Sequence, residues 1–337
     1  MNKLFTNKPV GILLASLLIS PLIASAGPKV SGAMSNTSTI SDAINSSIDS
    51  SIADTSSVNV SGESNIAGGA LLENDTIISE TLNSAETESA AILAGVMLKD
   101  SEFNDTLRNN VTVYQSTNTA STGSTAIMGS IHVADTNIRS RSDLANSDQI
   151  IVDSNNTAYD DSTAQLASIQ VTGLRHTRDM FVLNAGNDTR QSNNLSESSS
   201  AANMATIQLV NGRMDGNVYN LNNTVLESDN SARQGSVANI GSILLNVVTR
   251  LQQGANVQQF SEPPYVRYLL SGDISNSFAT SQINNLAEYG SIANFGSIDI
   301  FAAEITGSIL NSGSSTVTRN LGKDSSMTNT GSISIGR

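Results

Sequence analysis

The chain contains no cysteine and no tryptophan, and aromatic residues make up only 4% of its 337 residues. Without cysteine there are no disulfides, no thiolate metal sites, no thiol nucleophile and no lipidated cysteine. With so few aromatic rings, the chain also lacks the usual platform for stacking sugars or bases. Packing and hydrogen bonding alone must therefore stabilise the fold.

Charge is scarce as well: charged residues account for 14% of the chain, whereas about 25% is typical. The 30 acidic residues outnumber the 17 lysines and arginines, which gives a formal net charge of −13. A chain of this sign repels phosphate groups, so we expect neither nucleic acid nor an anionic membrane surface as a partner.

Small polar residues take the place of charge. The sequence contains 53 serines and 37 asparagines but only 5 prolines. Disordered chains are usually rich in charge and proline. This composition, with its frequent Ile, Val and Leu, instead favours many short strands joined by Asn, Ser and Gly turns.

The first 26 residues are typical of a secretory signal peptide. Lys3 and Lys8 flank the start of an apolar run from Val10 to Ile23, and the small residues at 24–26 form a cleavage site. The run is shorter than the ~18 residues that span a membrane, which favours cleavage before Gly27 over an uncleaved anchor. We therefore expect secretion to the extracellular space or cell surface, with the periplasm as the alternative, and no integral membrane segment after cleavage.

A five-residue word, small–Ser/Thr–Ile–any–aliphatic, recurs from residue 129 onward. It occurs as GSIHV at 129–133, ASIQV at 167–171, ATIQL at 205–209, GSILL at 241–245, GSIDI at 296–300 and GSISI at 331–335. Successive copies start 38, 38, 36, 55 and 35 residues apart, and a weaker copy, AGVML at 94–98, precedes the first by 35. Such spacing is typical of a repeat architecture.

Each word places two apolar side chains on one face of a strand. One repeat cannot bury that face alone, whereas stacked repeats bury a continuous core. We therefore predict an all-β fold, a repeat β-solenoid resembling a parallel β-helix, with units of roughly 36 residues and two or three strands each. The predicted core and assembly positions are Ile131, Val133, Ile169, Val171, Ile207, Leu209, Ile243, Leu245, Ile298, Ile300, Ile333 and Ile335.

An asparagine precedes the small residue of four words by two positions. These asparagines are Asn203, Asn239, Asn294 and Asn329. Because asparagine tolerates left-handed backbone and bonds to the nearby main chain, we predict that they mark corners between strands. Stacked asparagines and serines at equivalent positions are also expected to form hydrogen-bonded ladders.

The remaining segments are less regular. Residues 27–63 are predicted to form a Ser/Thr-rich flexible leader, with a short helix as the alternative because isoleucines recur every four residues between Ile40 and Ile52. Residues 64–128 are interpreted as degenerate repeats, and 129–337 as regular repeats with an insertion near 254–280. That insertion, with its paired prolines, is the candidate binding loop through Phe260, Tyr265, Arg267 and Tyr268.

No motif indicates catalysis or cofactor binding. His176 lies in the polar stretch GLRHTRD, which a turn between strands explains without a catalytic role, and no nucleophile-elbow motif accompanies it. The acidic loop at 153–161 lacks the central glycine and terminal glutamate of a calcium-binding EF-hand. We therefore expect no enzyme activity, no cofactor and no metal site.

The words at 200–209, 236–245 and 291–300 resemble bacterial secreted β-solenoid and functional-amyloid subunits, the curlin type included, although curlin repeats are shorter and carry regular glutamines. This resemblance implies a structural protein of the cell surface or biofilm matrix that assembles with itself into filaments. A monomeric adhesin that binds surface glycans or host or matrix proteins is the alternative. An ice-binding solenoid ranks lower, since Thr-x-Thr columns are missing, and a pectin-lyase-like enzyme ranks last.

Overall fold

A computed structural model describes residues 29–30, 33–61, 65–134, 136–138, 142–173, 180–210, 213–245, 268–301 and 303–336. All regular structure in these ranges is β, in 36 strands, and none of it is helical. The strands pair in parallel between successive coils of the chain. The predicted all-β repeat solenoid is thereby confirmed.

The strands are grouped by coil. The first two coils contain β1 (Lys29–Val30), β2 (Met34–Ser41), β3 (Ile44–Ile48), β4 (Ile52–Thr55), β5 (Val58–Ser61), β6 (Asn65–Ser79), β7 (Leu82–Glu86), β8 (Ala90–Leu93) and β9 (Val96–Lys99). The next two contain β10 (Glu102–Tyr114), β11 (Thr117–Ser121), β12 (Thr125–Met128), β13 (Ile131–Ala134), β14 (Asn137–Ile138), β15 (Asp143–Ser147), β16 (Ile150–Val152), β17 (Asn155–Ala158), β18 (Thr163–Leu166) and β19 (Ile169–Thr172).

The second half of the solenoid continues the same order. It contains β20 (Met180–Ala185), β21 (Asp188–Arg190), β22 (Asn193–Glu197), β23 (Ala201–Met204), β24 (Ile207–Val210), β25 (Arg213–Leu226), β26 (Asp229–Arg233), β27 (Val237–Ile240) and β28 (Ile243–Leu245). The last two coils contain β29 (Tyr268–Ser271), β30 (Ile274–Glu288), β31 (Ile292–Phe295), β32 (Ile298–Phe301), β33 (Ala303–Thr306), β34 (Ile309–Gly322), β35 (Met327–Thr330) and β36 (Ile333–Gly336).

Two of the sheets contain eight strands, one from each coil. The first runs β4-β8-β12-β18-β23-β27-β31-β35, and the second runs β5-β9-β13-β19-β24-β28-β32-β36. A twenty-stranded sheet forms the rest of the wall. Partners in the second eight-stranded sheet lie 38 residues apart at Ile131 and Ile169 but 55 apart at Ile243 and Ile298. The recurring word therefore occupies the same place in successive coils.

The early residues differ from expectation. Residues 34–61 form four strands of the first coil and pair with β6 to β9, so the flexible leader is not observed there. Ile44, Ile48 and Ile52 belong to two strands and point outward, not along one helical face. Residues 65–134 likewise form complete coils in register with the rest. The coils also contain at least four strands each, more than the predicted two or three.

The corners of the solenoid are made by left-handed residues other than the four predicted asparagines. Those asparagines are the third residues of β23, β27, β31 and β35. The left-handed residue lies two positions later, at Ala205, Gly241, Gly296 and Gly331, with φ between 50° and 60°. The asparagines lie within extended strands, where they stack in register from coil to coil.

The apolar core has a wide part and a narrow part. Isoleucines and valines of the second eight-stranded sheet pack against Phe103, Leu107 and their equivalents in the large sheet. A second cluster surrounds Met128 and Val113. At the narrow end, two columns of alanine, such as Ala120 and Ala126, face each other. Because alanine is small, strands on opposite walls come close enough there for side chains to reach across.

The predicted signal peptide and the predicted insertion lie mostly outside the described residues. In the described ranges, no helix has the length and apolar character needed to cross a membrane. The signal-peptide residues, His176 and most of the predicted insertion lie outside the described residues. From Tyr268 onward the chain is back in regular strands, so residues 268–280 belong to a coil instead of a loop.

Candidate assembly surface

An uninterrupted asparagine ladder runs the length of the solenoid near its narrow end. In each of its seven links, Nδ2 of one residue donates to Oδ1 of the residue in the next coil, at 2.7–2.9 Å. We call this the apex ladder; its members are Asn45, Asn83, Asn118, Asn156, Asn194, Asn230, Asn285 and Asn320.

The apex ladder also joins opposite walls. Nδ2 of Asn156, for example, lies 3.2 Å from the carbonyl oxygen of Ala164 and 3.0 Å from that of Asn203 in the next coil. The same pattern holds at Asn118 and Asn194. The alanine columns bring the walls close enough for this contact, so each asparagine fixes both the stacking register and the width of the narrow end.

A second row of asparagines tethers the large sheet to the left-handed corners. We call it the corner ladder; its members are Asn36, Asn74, Asn109, Asn146, Asn184, Asn220, Asn276 and Asn311. In this ladder Nδ2 of Asn109 donates to the carbonyl oxygen of Gly129 at 2.7 Å and to Oδ1 of Asn146 at 2.9 Å. The ladder is broken once, since Oδ1 of Asn184 is buried without a hydrogen-bond partner.

The four predicted asparagines form a third, shorter ladder. Asn329 donates to Asn294, Asn294 to Asn239 and Asn239 to Asn203, at 2.9, 3.0 and 2.7 Å. The donors face the opposite way along the stack from those of the other two ladders. Their stacking agrees with the expected asparagine ladders, although not with a role as corner residues.

Serine columns line the corners. One contains Ser51, Ser89, Ser124, Ser162, Ser200, Ser236, Ser291 and Ser326, each directly after a pair of left-handed residues. The backbone N–H of Ser124 donates to Oγ of Ser162 at 3.2 Å, and the N–H of Ser162 donates to Oγ of Ser200 at 3.1 Å. Each hydroxyl thereby accepts a backbone donor that the turn would otherwise leave unpaired.

One outward column combines amides with two titratable groups. His132 lies beside Gln165 and Gln170; its Nδ1 is 3.5 Å from Nε2 of Gln165. Burial lowers the pKa of His132, with a smaller contribution from Lys99, and outweighs the raising effect of hydrogen bonds with Gln170 and Gln165. Further along the column, burial raises the pKa of Asp299. Both groups are therefore held toward their neutral forms.

Charged side chains on the lateral surface alternate in sign between coils. Arg233 lies 3.3 Å from Glu197 in the coil before and 3.5 Å from Glu288 in the coil after. Lys323 then lies 2.7 Å from Glu288, and its hydrogen bond lowers the pKa of Glu288. These pairs are exposed, so each contributes little to stability by itself.

The last coil exposes apolar side chains at positions that are buried in the middle coils. Of the predicted core positions, the ten from Ile131 to Ile300 are at most 2% exposed. In the last coil Ile333 is 45% and Ile335 68% exposed. Among the described residues, nothing pairs with the outer edges of β35 and β36, or of β4 and β5. We call the face of the last coil the C-terminal end face, and that of the first coil the N-terminal end face.

The recurring words do not identify the members of the apex ladder, the corner ladder or the serine columns, although ladders of stacked asparagines and serines are expected from the composition. Of the predicted binding loop, Phe260, Tyr265 and Arg267 lie outside the described residues, and Tyr268 begins β29. Within the described ranges, no three His, Asp or Glu side chains are grouped so as to hold a metal ion. Comparison with protein-family models, curated proteins and solved structures found no match.

Proposed function

We propose that this is an exported structural protein of the cell surface or extracellular matrix, which assembles into filaments by stacking end to end. One observation carries the proposal: the columns that define the solenoid reach both end faces without a covering element among the described residues. Unpaired strand edges are templates for another strand. A contact between two different ends is heterologous and does not close, so it generates a filament.

The chemistry of the end faces fits a second copy of the chain. The C-terminal end face presents Ile333 and Ile335, directly in line with the core columns of the coil below. The N-terminal end face presents Val58 and Val60 in the same columns, since they pair with Val96 and Leu98. Stacking one face on the other would continue both columns and supply backbone partners to both edges.

The proposal is tested by sedimentation and negative-stain electron microscopy of the chain from residue 27 onward, at rising concentration. We expect filaments in the wild type and monomers in the double variant Ile333→Lys/Ile335→Lys, because two ammonium groups would be buried at each junction. The double variant Ile44→Lys/Ile48→Lys is the matched control, since these isoleucines are also exposed but face sideways. A wild-type chain that stays monomeric at all concentrations would exclude filament assembly.

A lateral binding function is the second candidate. Ile44, Ile48 and Ile52 are 76%, 52% and 65% exposed and lie on the outside of the first coil. Clustered exposed aliphatic side chains are unusual on a monomer surface and often mark an interaction site. A stable monomer in the experiment above would favour this reading, in which the protein is an adhesin or binding module.

A further inference from the structure

The fourth, fifth and sixth coils, which contain β14–β19, β20–β24 and β25–β28, bury amide groups that lack hydrogen-bond partners. Gln149 is completely buried, and neither its Nε2 nor its Oε1 is paired. Its equivalents in the next two coils, Asn187 and Asn223, share one hydrogen bond of 2.6 Å, which leaves Oδ1 of Asn187 and Nδ2 of Asn223 unpaired. Asn184, the corner-ladder residue in the same coil as Asn187, also has an unpaired Oδ1. Five polar atoms are therefore unsatisfied in one region of the interior.

The cause is one additional residue in each of these three coils. Asn109 of the third coil pairs with Asn146 of the fourth, and Thr112 pairs with Ile150. Two residues separate the paired positions in the third coil, whereas three, at 147–149, separate them in the fourth. The middle residue is left-handed in coils four to six: Asp148, Gly186 and Asn222 have φ of 53°, 70° and 57°. The buried amide always comes next. In coils without the additional residue, this position holds Ser38, Thr76, Val111, Phe278 or Gly313.

The interior is tightly filled beside Gly129 and Gly296, in coils without the additional residue, and open beside Gly241, in a coil that has it. A Cβ atom added at Gly129 would lie 2.6 Å from Cγ1 of Val111, and one at Gly296 would lie 2.7 Å from the ring of Phe278. At Gly241, the equivalent corner in coil six, the nearest atom would be Cβ of Asn223 at 4.0 Å. The left-handed residue thus displaces the wall outward and leaves space beside the amide of Asn223.

We propose that this region is a hydrated cavity, in which a short row of ordered water molecules binds the amides of Gln149, Asn187 and Asn223. An unpaired buried amide is costly, and a buried water with two to four polar partners removes that cost. The unpaired atoms comprise three acceptor oxygens and two donor nitrogens. Water satisfies both kinds, whereas a metal cation would satisfy only the oxygens. The break in the corner ladder at Asn184 is then bridged by water.

An open groove adjoins one of the buried amides. An open groove of about 450 Å³ on the outer surface is lined by residues of coils six to eight, including Asn222, Asn223, Ser277 and Gly313. Asn223 belongs both to this groove and to the row of unpaired amides.

The test combines a crystal structure of the whole chain with urea unfolding of Gln149→Met, which keeps the volume and removes the polar atoms. We expect density peaks at hydrogen-bond distance from Gln149 and Asn187, and a fall of about tenfold in the folding equilibrium constant, since the variant strands a bound water.

Three results would overturn the proposal. One is an interior without density peaks. Another is a Gln149→Met variant that is more stable than wild type, which is the behaviour expected of a dry cavity around unpaired amides. The third is a wild-type stability that changes when sodium chloride is replaced by choline chloride at equal ionic strength, because that would indicate a bound cation. The crystal structure remains decisive if the methionine variant does not fold.

Discussion

Thr55 donates its hydroxyl hydrogen to Oδ1 of Asn45 at 2.9 Å. In every later coil the equivalent oxygen of the apex ladder accepts Nδ2 of the asparagine before it. Thr55 therefore occupies the place that a preceding coil would take. The equivalent residues of the next coils are apolar, Leu93 and Met128 among them, so the hydroxyl is a feature of the end coil.

Removal of this hydroxyl should promote assembly. In Thr55→Ala, Oδ1 of Asn45 is left open for Nδ2 of Asn320 from another copy, and we expect filaments at a lower protein concentration than in the wild type. Sedimentation over a concentration series measures the change. Thr55→Ser keeps the hydroxyl and should behave as wild type. If the alanine variant needs a higher protein concentration to assemble than the wild type, the hydroxyl of Thr55 does not oppose stacking.

A substitution in the middle of the apex ladder should lower the stability of the fold. Asn156→Leu removes the hydrogen bonds to Asn194, Ala164 and Asn203 and leaves Oδ1 of Asn194 without its donor, while Nδ2 of Asn118 loses one of its three acceptors. We expect a loss of about 3 kcal/mol in the free energy of unfolding, given that each stranded buried group costs roughly 1–3 kcal/mol. Urea unfolding followed by circular dichroism measures it.

The neighbouring Asn155 offers a matched control for that substitution. It is exposed and contacts Asn193 only at the surface. Asn155→Leu should therefore shift the unfolding midpoint by much less than Asn156→Leu. Equal losses in the two variants would mean that leucine disturbs the strand itself and that the ladder contributes nothing specific.

Stability should depend on the protonation of His132. Because burial lowers the pKa of His132 below its ordinary 6.5, the unfolded chain binds a proton more readily than the folded one. The free energy of unfolding therefore falls as the pH drops below about 6.5 toward the lower folded pKa. In His132→Gln, which repeats the Gln170 of the next coil, this decline should disappear.

The measurement is the urea midpoint of wild type and His132→Gln across that pH range. Asp299→Asn provides a contrast of opposite sign: since burial raises the pKa of Asp299, the folded chain holds that proton more tightly, and its contribution to stability grows on acidification. Parallel pH curves for wild type and His132→Gln would contradict the assigned burial of the imidazole.

Two left-handed glycines should respond differently to the same substitution. Gly296 has φ of +58°, and a Cβ there would lie 2.7 Å from the ring of Phe278, whereas Gly290 has φ of +71° and open space around it. Gly290→Ala should cost only the backbone strain of about 1 kcal/mol. Gly296→Ala adds a clash inside the core, and overpacking costs ~1–3 kcal/mol more. Thermal unfolding of both variants compares them; equal melting temperatures would show that the ring of Phe278 yields freely.

The sequence predicts the solenoid because its core obeys a simple rule. Ile131 and Val133 must recur at each coil, since only large aliphatic side chains fill the wide part of the core. The same spacings also run through the apex ladder: Asn45, Asn83 and Asn118 are 38 and 35 residues apart, as are Ser51, Ser89 and Ser124. Projecting the word spacings onto other residue types would have revealed these columns and the first coil with them.

The membership of the ladders and the hydrated cavity depend on features that no single sequence position encodes. Asparagine is so frequent here that a member of a ladder, such as Asn156, has the same sequence surroundings as its exposed neighbour Asn155. Which of the two turns inward depends on the corner before it. The hydrated cavity depends on one additional residue, Asp148 and its equivalents, whose effect is visible only when coils are compared in register.

The long interval between β28 and β29 leaves the stack in register. Leu245 pairs with Ile300 in the same register in which Leu209 pairs with Leu245, although the first two residues are 55 positions apart in sequence and the second two are 36 apart. The length of the chain between coils is therefore free at this boundary, while the geometry of the coils is fixed. A foreign peptide or a small domain placed between residues 246 and 267 should be carried on the side of the solenoid, and filaments of such a fusion would display it at a regular spacing.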